Sequence, residues 1–200
     1  MVNSRLDQIR AANDIKKIAP SDYAFLAEEI RSCLIKVISR TGGHLASNLG
    51  IVEVTMALHL CLTFPGDKLI FDVGHQSYVH KILTGRRIQF REIRTHGGIS
   101  GFPKRAESGS DAFGTGHSST ALSAAFGFAA AREQLGQDYK IAAVVGDGAA
   151  TGGMFYEAFN NLACLKGNMV FVLKDNGMSI SSNVGAVAEW LKSSRKHSPA

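Results

Sequence analysis

The chain has 200 residues, enough for one domain or a large part of one. Hydrophobic residues form 45% of it and charged residues 20%, which is ordinary for a soluble α/β core. The net charge of +5 could attract phosphorylated substrates but does not indicate nucleic acid as a partner. Since no apolar stretch is long enough to span a membrane and the start lacks a signal peptide's apolar core, we expect a cytoplasmic protein without membrane partners.

The three cysteines, Cys33, Cys61 and Cys164, are far apart and lie in apolar helical patterns. An odd number without metal-ligand spacing argues against a disulfide framework. We therefore expect three buried thiols.

The first predicted element is a helix that follows a polar segment over residues 1–20. It begins at Pro20-Ser21-Asp22, where Ser21 is the expected N-cap, and it ends at Gly42-Gly43. Its apolar residues recur at helical spacing and predict one face on a core: Tyr23, Leu26, Ile30, Leu34 and Val37.

The next elements alternate between helix and strand. The apolar run 51–62 predicts a buried helix in which His59 is a hydrogen-bonded core residue. Residues 68–73 predict a short strand that leads into Gly74-His75, and a helical segment follows over 80–87. The irregular stretch 88–112 carries basic residues that we expect to be solvated.

A glycine-rich segment at 113–120 precedes an alanine-rich helix that extends to about Leu135. Serine and threonine side chains at its start could cap the helix. The N–H groups and the dipole at that end would form an anion site.

A βαβ unit follows. The apolar run 142–145 stops at Gly146-Asp147-Gly148, and a second run, 169–173, stops at Asp175-Asn176. The helical pattern between them predicts one shared face for Phe155, Ala158, Phe159 and Leu162. The fold class is therefore α/β, with a mostly parallel sheet flanked by helices and a ligand at the carboxyl ends of the strands.

Asp147 indicates the kind of ligand. A carboxylate beside a phosphate would repel it unless a cation lay between them, and Mg²⁺ prefers carboxylate, amide and phosphate oxygens. Asn176 could supply the amide oxygen and Met178 a backbone carbonyl. The pattern predicts a clamp of Mg²⁺ on a diphosphate.

Two other interpretations of the glycine turn remain open. It could be no more than a turn between strand and helix. It also mimics a dinucleotide-binding fingerprint, because Gly146 and Gly148 follow a strand and Asp175 ends the next one. However, the third glycine is misplaced, and Asp147 suits a metal-free pyrophosphate poorly.

Six ordered blocks resemble the 1-deoxy-D-xylulose-5-phosphate synthase family of transketolase-like enzymes. They are GGHLASNLG (42–50), DVGHQSYVHKILTGRR (72–87), GGISGFPKR (97–105), FGTGHSST (113–120), GDGAATGGM (146–154) and DNGMSIS (175–181). The resemblance runs from about Leu6 to about Val187. It implies thiamine diphosphate and Mg²⁺ as cofactors, and condensation of pyruvate with D-glyceraldehyde 3-phosphate to a precursor of isoprenoids, thiamine and pyridoxal.

The resemblance also implies roles for individual residues. His44 would move protons at the reacting carbon, and His75 would contact the cofactor. Asp147, Asn176 and Met178 would bind the metal. The other implied cofactor contacts are Gly116, His117, Ser118, Gly148 and Ala149, together with Asn176.

The family is longer and has three domains, so we expect this chain to hold most of the first, over 21–187, with a polar tail over 188–200. We expect residues 192–200 of that tail to be disordered. A glutamate that acts on the cofactor would belong to the following domain. We expect a homodimer, or a partner chain that supplies the pyrimidine-binding domain, and an inactive binding module remains an alternative. Gly177 and Lys174 depart from the family pattern, and Gly177 could weaken the metal site.

Overall fold

The structure, a computed structural model, describes residues 4–165, 167, 169–175 and 183–196. It divides into two compact units. Unit 1 comprises Met1–Lys68 and Gly74–Gly116, and unit 2 comprises Leu69–Val73 and His117–Ala200. No helix among the described residues is long and apolar enough to cross a membrane.

Unit 1 is helical. Its α-helices are α1 (Tyr23–Thr41), α2 (Leu45–Leu49), α3 (Val52–Cys61), α4 (Tyr78–Lys81) and α5 (Arg87–Phe90). Three 3₁₀ turns precede them, at Leu6–Gln8, Asp14–Lys17 and Pro20–Asp22. The apolar face of α1 is buried as the helical spacing predicts, and it packs in a core with residues of α3 and α4.

The N-terminal segment contributes to this core. Although residues 1–20 are polar on average, Leu6, Ile9, Ile15 and Ile18 are all buried in it. The buried carboxylate of Asp14 accepts hydrogen bonds from two backbone N–H groups of the same segment. A few well-spaced apolar residues thus anchor a segment whose composition suggests a solvated one.

The start of α1 differs from the prediction. The N-cap position belongs to Asp22 rather than Ser21, and no side chain caps the helix there. Asp22 instead pairs with Arg5, whose Nε lies 2.8 Å from the carboxylate. The other end agrees: α1 stops at Gly42, whose φ of 71° is a conformation that glycine adopts readily.

Helix α3 is buried on one face only. Val52, Met56 and His59 are inside, whereas Val54 is 37% exposed. The helical segment predicted over 80–87 is also interrupted: α4 ends at Lys81, and Thr84 and Gly85 have non-helical dihedrals before α5 begins. A Cβ on Gly85 would lie 2.4 Å from the carbonyl oxygen of Arg10, so the close approach of two chain segments requires glycine there.

Unit 2 contains a three-stranded sheet in the order β1-β2-β3. Strand β1 is Lys68–Phe71, β2 is Ile141–Gly146 and β3 is Val170–Lys174. Strands β2 and β3 are parallel, with Ala142 opposite Val170 and Gly146 opposite Lys174. Residues Ile141 to Val145 are buried, as expected for a strand covered on both faces. The βαβ prediction is therefore confirmed.

The helices of unit 2 are α6 (Ala121–Gln134), α7 (Gly153–Asn161) and α8 (Ala186–Lys196), with 3₁₀ turns at Ala149–Thr151 and Leu162–Cys164. On α7, Phe155 and Ala158 are buried as predicted. Phe159 was predicted to share a face with them, and its ring stacks on that of Phe155 with centroids 5.9 Å apart. It is nevertheless 52% exposed, so the shared face is only partly covered.

The tail predicted to be disordered from residue 192 is helical through Lys196 in the structure, as part of α8. Ala188 is buried and Trp190 is 64% exposed. The segment contains alanine, glutamate, leucine, lysine and arginine, which favour helix, and this local preference prevails over its polar composition.

The cysteines form no disulfide, as predicted, but their predicted burial is wrong for two of them. Cys61 and Cys164 are exposed, and Cys33 is half-buried. Cys61 is the last residue of α3, and Cys164 lies in a 3₁₀ turn, where apolar periodicity no longer reports burial. Burial raises the pKa of the Cys33 thiol.

Candidate functional site

Unit 1 brings two of the predicted residues together. His44 immediately precedes α2, and His75 lies in the loop between β1 and α4. Their ring centroids are 5.2 Å apart, with the rings edge to face, and the Phe102 ring lies 6.2 Å from that of His44. The His44 ring is exposed and His75 is half-buried, so a ligand could reach both.

The loop that carries His75 is tightly constrained. Gly74 has a φ of 92°, and a Cβ there would lie 2.1 Å from Thr115 Oγ1 and 2.5 Å from Pro103 Cδ. Val73 before it has a φ of 59°, which β-branched residues rarely adopt. Strain of this kind is typical of functional turns.

Asn48 connects the two histidine loops. Its Nδ2 donates to the carbonyl oxygens of His44 (2.6 Å) and His75 (2.8 Å), and its Oδ1 accepts from the N–H of Tyr78 (2.9 Å). Its side chain is fully buried. The sequence places Asn48 beside the histidine motif but does not reveal this connection, because Asn48 and His75 are 27 residues apart.

The electrostatics of His44 favour a neutral imidazole. Burial and the positive charge of Arg94 lower its pKa. Arg94 is solvent-exposed, as predicted for the basic residues of 88–112, yet its charge still acts on the candidate site. A neutral imidazole can accept a proton at one ring nitrogen and donate from the other.

A second polar cluster lies in the interior of unit 1 and was not predicted from sequence. Arg86 donates two hydrogen bonds to the Asp111 carboxylate, at 2.8 and 2.7 Å. His80 Nε2 lies 3.2 Å from the same carboxylate, and His80 Nδ1 lies 2.9 Å from His59 Nε2. Lys81 pairs with Glu107 at 2.6 Å.

The protonation pattern of this cluster follows from its partners. Asp111 is ionised, since its hydrogen bonds with His80 and Arg86 outweigh burial and hold its pKa far below the usual range. His80 therefore donates from Nε2 and accepts at Nδ1 from His59. His59 is hydrogen-bonded as predicted, although its Nδ1 has no hydrogen-bond partner among the described residues.

In unit 2, Asp147 follows β2 directly and is 3% exposed. Its N–H donates to the carbonyl of Lys174 (2.9 Å), which extends the pairing of β2 with β3 by one residue. Its Oδ2 accepts from Asn183 Nδ2 at 2.8 Å. The other predicted ligands, Asn176 and Met178, and Gly177 between them lie outside the described residues.

The position and burial of the Asp147 carboxylate fit a ligand of Mg²⁺. A buried carboxylate at the end of a strand is a hard oxygen donor that needs a counter-charge. The sequence analysis did not name Asn183 as a site residue. Its amide nitrogen donates to the Asp147 carboxylate, which is the group that would bind the metal. Among the described residues, no three His, Cys, Asp or Glu side chains form a metal-binding group, so the carboxylate would depend on amide, carbonyl and phosphate oxygens.

Gly148 and Ala149 lie in the tight turn after Asp147. Gly148 has helical dihedrals, and its carbonyl accepts hydrogen bonds from the N–H and the hydroxyl of Thr151. The carbonyl of Ala149 accepts from Ser119 Oγ at 2.7 Å. Both predicted cofactor residues are therefore in one ordered turn with Asp147.

The predicted anion site at the start of α6 needs correction. The Asp72 carboxylate already accepts hydrogen bonds from the N–H groups of Ser119 (2.7 Å) and Ala121 (3.0 Å). No serine or threonine side chain caps this helix. The loop before α6 is exposed at Gly116, His117 and Ser118. The predicted cofactor contacts of these residues would therefore be made from this loop and not from the start of the helix.

The fold has a counterpart among solved structures. A crystal structure of transketolase from Campylobacter jejuni matches with a TM-score of 0.71 and 22% sequence identity, covering 83% of this chain and 30% of that one. The fold is therefore the α/β fold of transketolase-like proteins, as the sequence predicts.

Sequence comparison gives the family. The family model described as 1-deoxy-D-xylulose-5-phosphate synthase matches residues 6–199, and the chain belongs to this family. The protein named 1-deoxy-D-xylulose-5-phosphate synthase from Lachnoclostridium phytofermentans is 60% identical over 190 residues, 95% of this chain. A protein of that name from Carboxydothermus hydrogenoformans is 55% identical over 186 residues, 93% of this chain. The chain spans 30% of the length of each.

Proposed function

We propose that the chain supplies the diphosphate-binding part of a cytoplasmic 1-deoxy-D-xylulose-5-phosphate synthase. Such an enzyme condenses pyruvate with D-glyceraldehyde 3-phosphate, with loss of CO₂, as the first step of the non-mevalonate isoprenoid pathway. The observation that carries the proposal is family membership over residues 6–199. The comparisons give no support for a role in thiamine synthesis, and the proposal does not include one.

Thiamine diphosphate, when bound, supplies the carbanion chemistry, and the protein supplies binding, orientation and electrostatics. Asp147 would hold Mg²⁺ together with Asn176 and the carbonyl of Met178. The buried, strand-terminal position of Asp147 supports this role. The loop at Gly116, His117 and Ser118 and the turn at Gly148 and Ala149 would hold the cofactor, with Asn176 at the same group.

His44 would move the proton in this reaction, and His75 would orient the cofactor. The lowered pKa of His44 supports this role because a neutral imidazole is ready to accept a proton at neutral pH. His44 is also exposed, so it is accessible to a ligand. The phosphorylated substrate would be attracted by a chain with a net charge of +5.

The active assembly would be a homodimer, or this chain with a partner that supplies the pyrimidine-binding domain. The resemblance to the family supports the first arrangement. Analytical ultracentrifugation of the chain would distinguish a dimer from a monomer that needs a different partner.

Calorimetric titration tests the cofactor proposal. We expect binding heat from thiamine diphosphate at millimolar concentration in the presence of Mg²⁺, and none in the presence of EDTA. Equal heat in both conditions would contradict the metal clamp. Heat from NAD instead would favour the dinucleotide interpretation, and no heat from either ligand would favour a module without cofactor.

A further inference from the structure

We propose that Asn48 is the positioning residue that fixes His44 against His75. This proposal rests on the proposed function, in which His44 moves the proton and His75 orients the cofactor. The functional value of holding the two rings together follows from those roles. Asn48 acts through the backbones of the two loops that carry the rings, because its amide donates to the carbonyls of His44 and His75.

The orientation of the Asn48 amide is determined by its neighbours. The N–H of Tyr78 can only donate, so the oxygen of the amide must face it. The carbonyls of His44 and His75 can only accept, so the nitrogen must face them. One planar group thus satisfies three backbone groups in a fully buried position.

The contacts of Ser47 and Tyr78 with His44 are longer than the two bonds from Asn48. Ser47 Oγ donates to the His44 carbonyl at 3.3 Å. Tyr78 OH lies 3.5 Å from the His44 N–H, at the limit for a hydrogen bond. The two short bonds from Asn48 therefore restrain the spacing of the loops.

The substitution Asn48→Asp tests this restraint with almost no change in shape. The carboxylate cannot donate, so both bonds to the carbonyls are lost and an oxygen faces each of them. A matched control is Asn13→Asp: Asn13 likewise joins two loops of unit 1, donating to the Phe64 carbonyl at 2.8 Å and accepting from its N–H at 3.0 Å. The control loses one amide-to-carbonyl bond but leaves the histidine loops intact.

The readout is the ring-to-ring nuclear Overhauser effect between His44 and His75 in the full chain with labelled histidine, assigned with His44→Gln and His75→Gln. We expect the effect in the wild type and in Asn13→Asp, and a loss of at least half of its intensity in Asn48→Asp. Wild-type intensity in Asn48→Asp would overturn the proposal, and so would an equal loss in Asn13→Asp.

Because Asn48 is buried, Asn48→Asp could leave the chain unfolded. The second variant is then Asn48→Ser, whose smaller hydroxyl can donate to only one of the two carbonyls. For Asn48→Ser we expect the same loss of the nuclear Overhauser effect between the two rings, in a chain whose circular dichroism matches the wild type. A nuclear Overhauser effect of wild-type intensity in this variant would overturn the proposal. These measurements are made without cofactor, so their outcome does not depend on the calorimetric titration. If the chain fails to bind thiamine diphosphate, the proposed function is contradicted, but the role of Asn48 can still be tested.

Discussion

The guanidinium of Arg86 and the carboxylate of Asp111 share two hydrogen bonds inside unit 1, although 25 residues separate them in the sequence. Their pair, together with Lys81 and Glu107, balances two positive charges against two negative ones. This balance holds only while His80 and its neighbour His59 are neutral. Segment 100–111 is thereby tied to α4, the helix that follows the His75 loop.

Loss of the Asp111 charge should be strongly destabilising. Asp111→Asn removes the carboxylate that accepts both Arg86 hydrogen bonds and leaves the more distant Glu107, at 3.8 Å, as a counter-charge. Breaking a buried pair in this way costs about 3–5 kcal/mol. The control Asp22→Asn breaks the partly exposed pair with Arg5, for which a much smaller loss is expected. Urea unfolding measures both free energies, and equal losses would contradict the role assigned to the buried cluster.

Acid should destabilise the same cluster. The pKa of His59 lies well below its usual value because of burial and the charges of His80 and Arg86, and burial lowers the pKa of His80 as well. The unfolded chain therefore binds more protons below about pH 6.5, so the stabilisation is fully present above that pH and is lost as the pH falls toward the folded-state values.

His59→Gln removes one of the two titrating groups. We expect a smaller decrease in the free energy of unfolding between about pH 7 and 5 than in the wild type. Asp111, whose pKa is also lowered, adds a separate loss below about pH 4 in both proteins. Urea unfolding at a series of pH values provides the test, and parallel profiles above pH 5 would refute the assignment.

Asp72 should determine the stability of α6. Asp72→Ala removes the acceptor for the N–H groups of Ser119 and Ala121, at a cost of roughly 2–4 kcal/mol. Asp72→Asn, which retains one acceptor oxygen, should lose less. Thr120→Ala is the control, because its hydroxyl donates to the His117 carbonyl and caps no helix N–H. Hydrogen exchange of the Ala121 amide should accelerate in the Asp72 variants only.

Gly74→Ala should be more harmful than replacement of a glycine of unit 1 that has open space around it. Strain at positive φ and overlap with Thr115 and Pro103 together predict a loss of about 2–4 kcal/mol. Gly97→Ala is the matched control: its φ of 77° is comparable, but a Cβ there meets nothing within 4 Å, so about 1–2 kcal/mol is expected. Thermal unfolding compares the two variants, and equal losses would show that crowding at Gly74 is unimportant.

Asp147→Asn should abolish the Mg²⁺-dependent binding heat of thiamine diphosphate, because a neutral amide cannot offset the charge of the metal. Asp138→Asn, in an exposed loop, is the control and should bind as the wild type does. Calorimetry at millimolar cofactor makes the comparison. Retained affinity in Asp147→Asn would refute the clamp.

Local patterns in the sequence were enough to predict most secondary-structure elements of this protein, its family and its candidate site residues. The periodicity of α1, the run 142–145 and the glycine stops gave the elements and the parallel pairing of β2 with β3, because backbone geometry and side-chain burial act over a few residues. The motifs also gave the family and named His44, His75 and Asp147. Their expected roles in binding and catalysis remain predictions.

Only the tertiary structure decided which distant groups meet. The capping of α6 by Asp72, the buried pairing of Arg86 with Asp111 and the connection through Asn48 join residues 25 to 49 positions apart. For a related reason, composition misjudged the N-terminal segment and helical periodicity did not reveal the exposure of Phe159. Burial depends on which surfaces the folded chain brings together. Hydrogen-bond partners depend on which groups lie close in space. The periodicity of a single helix or strand encodes neither of these.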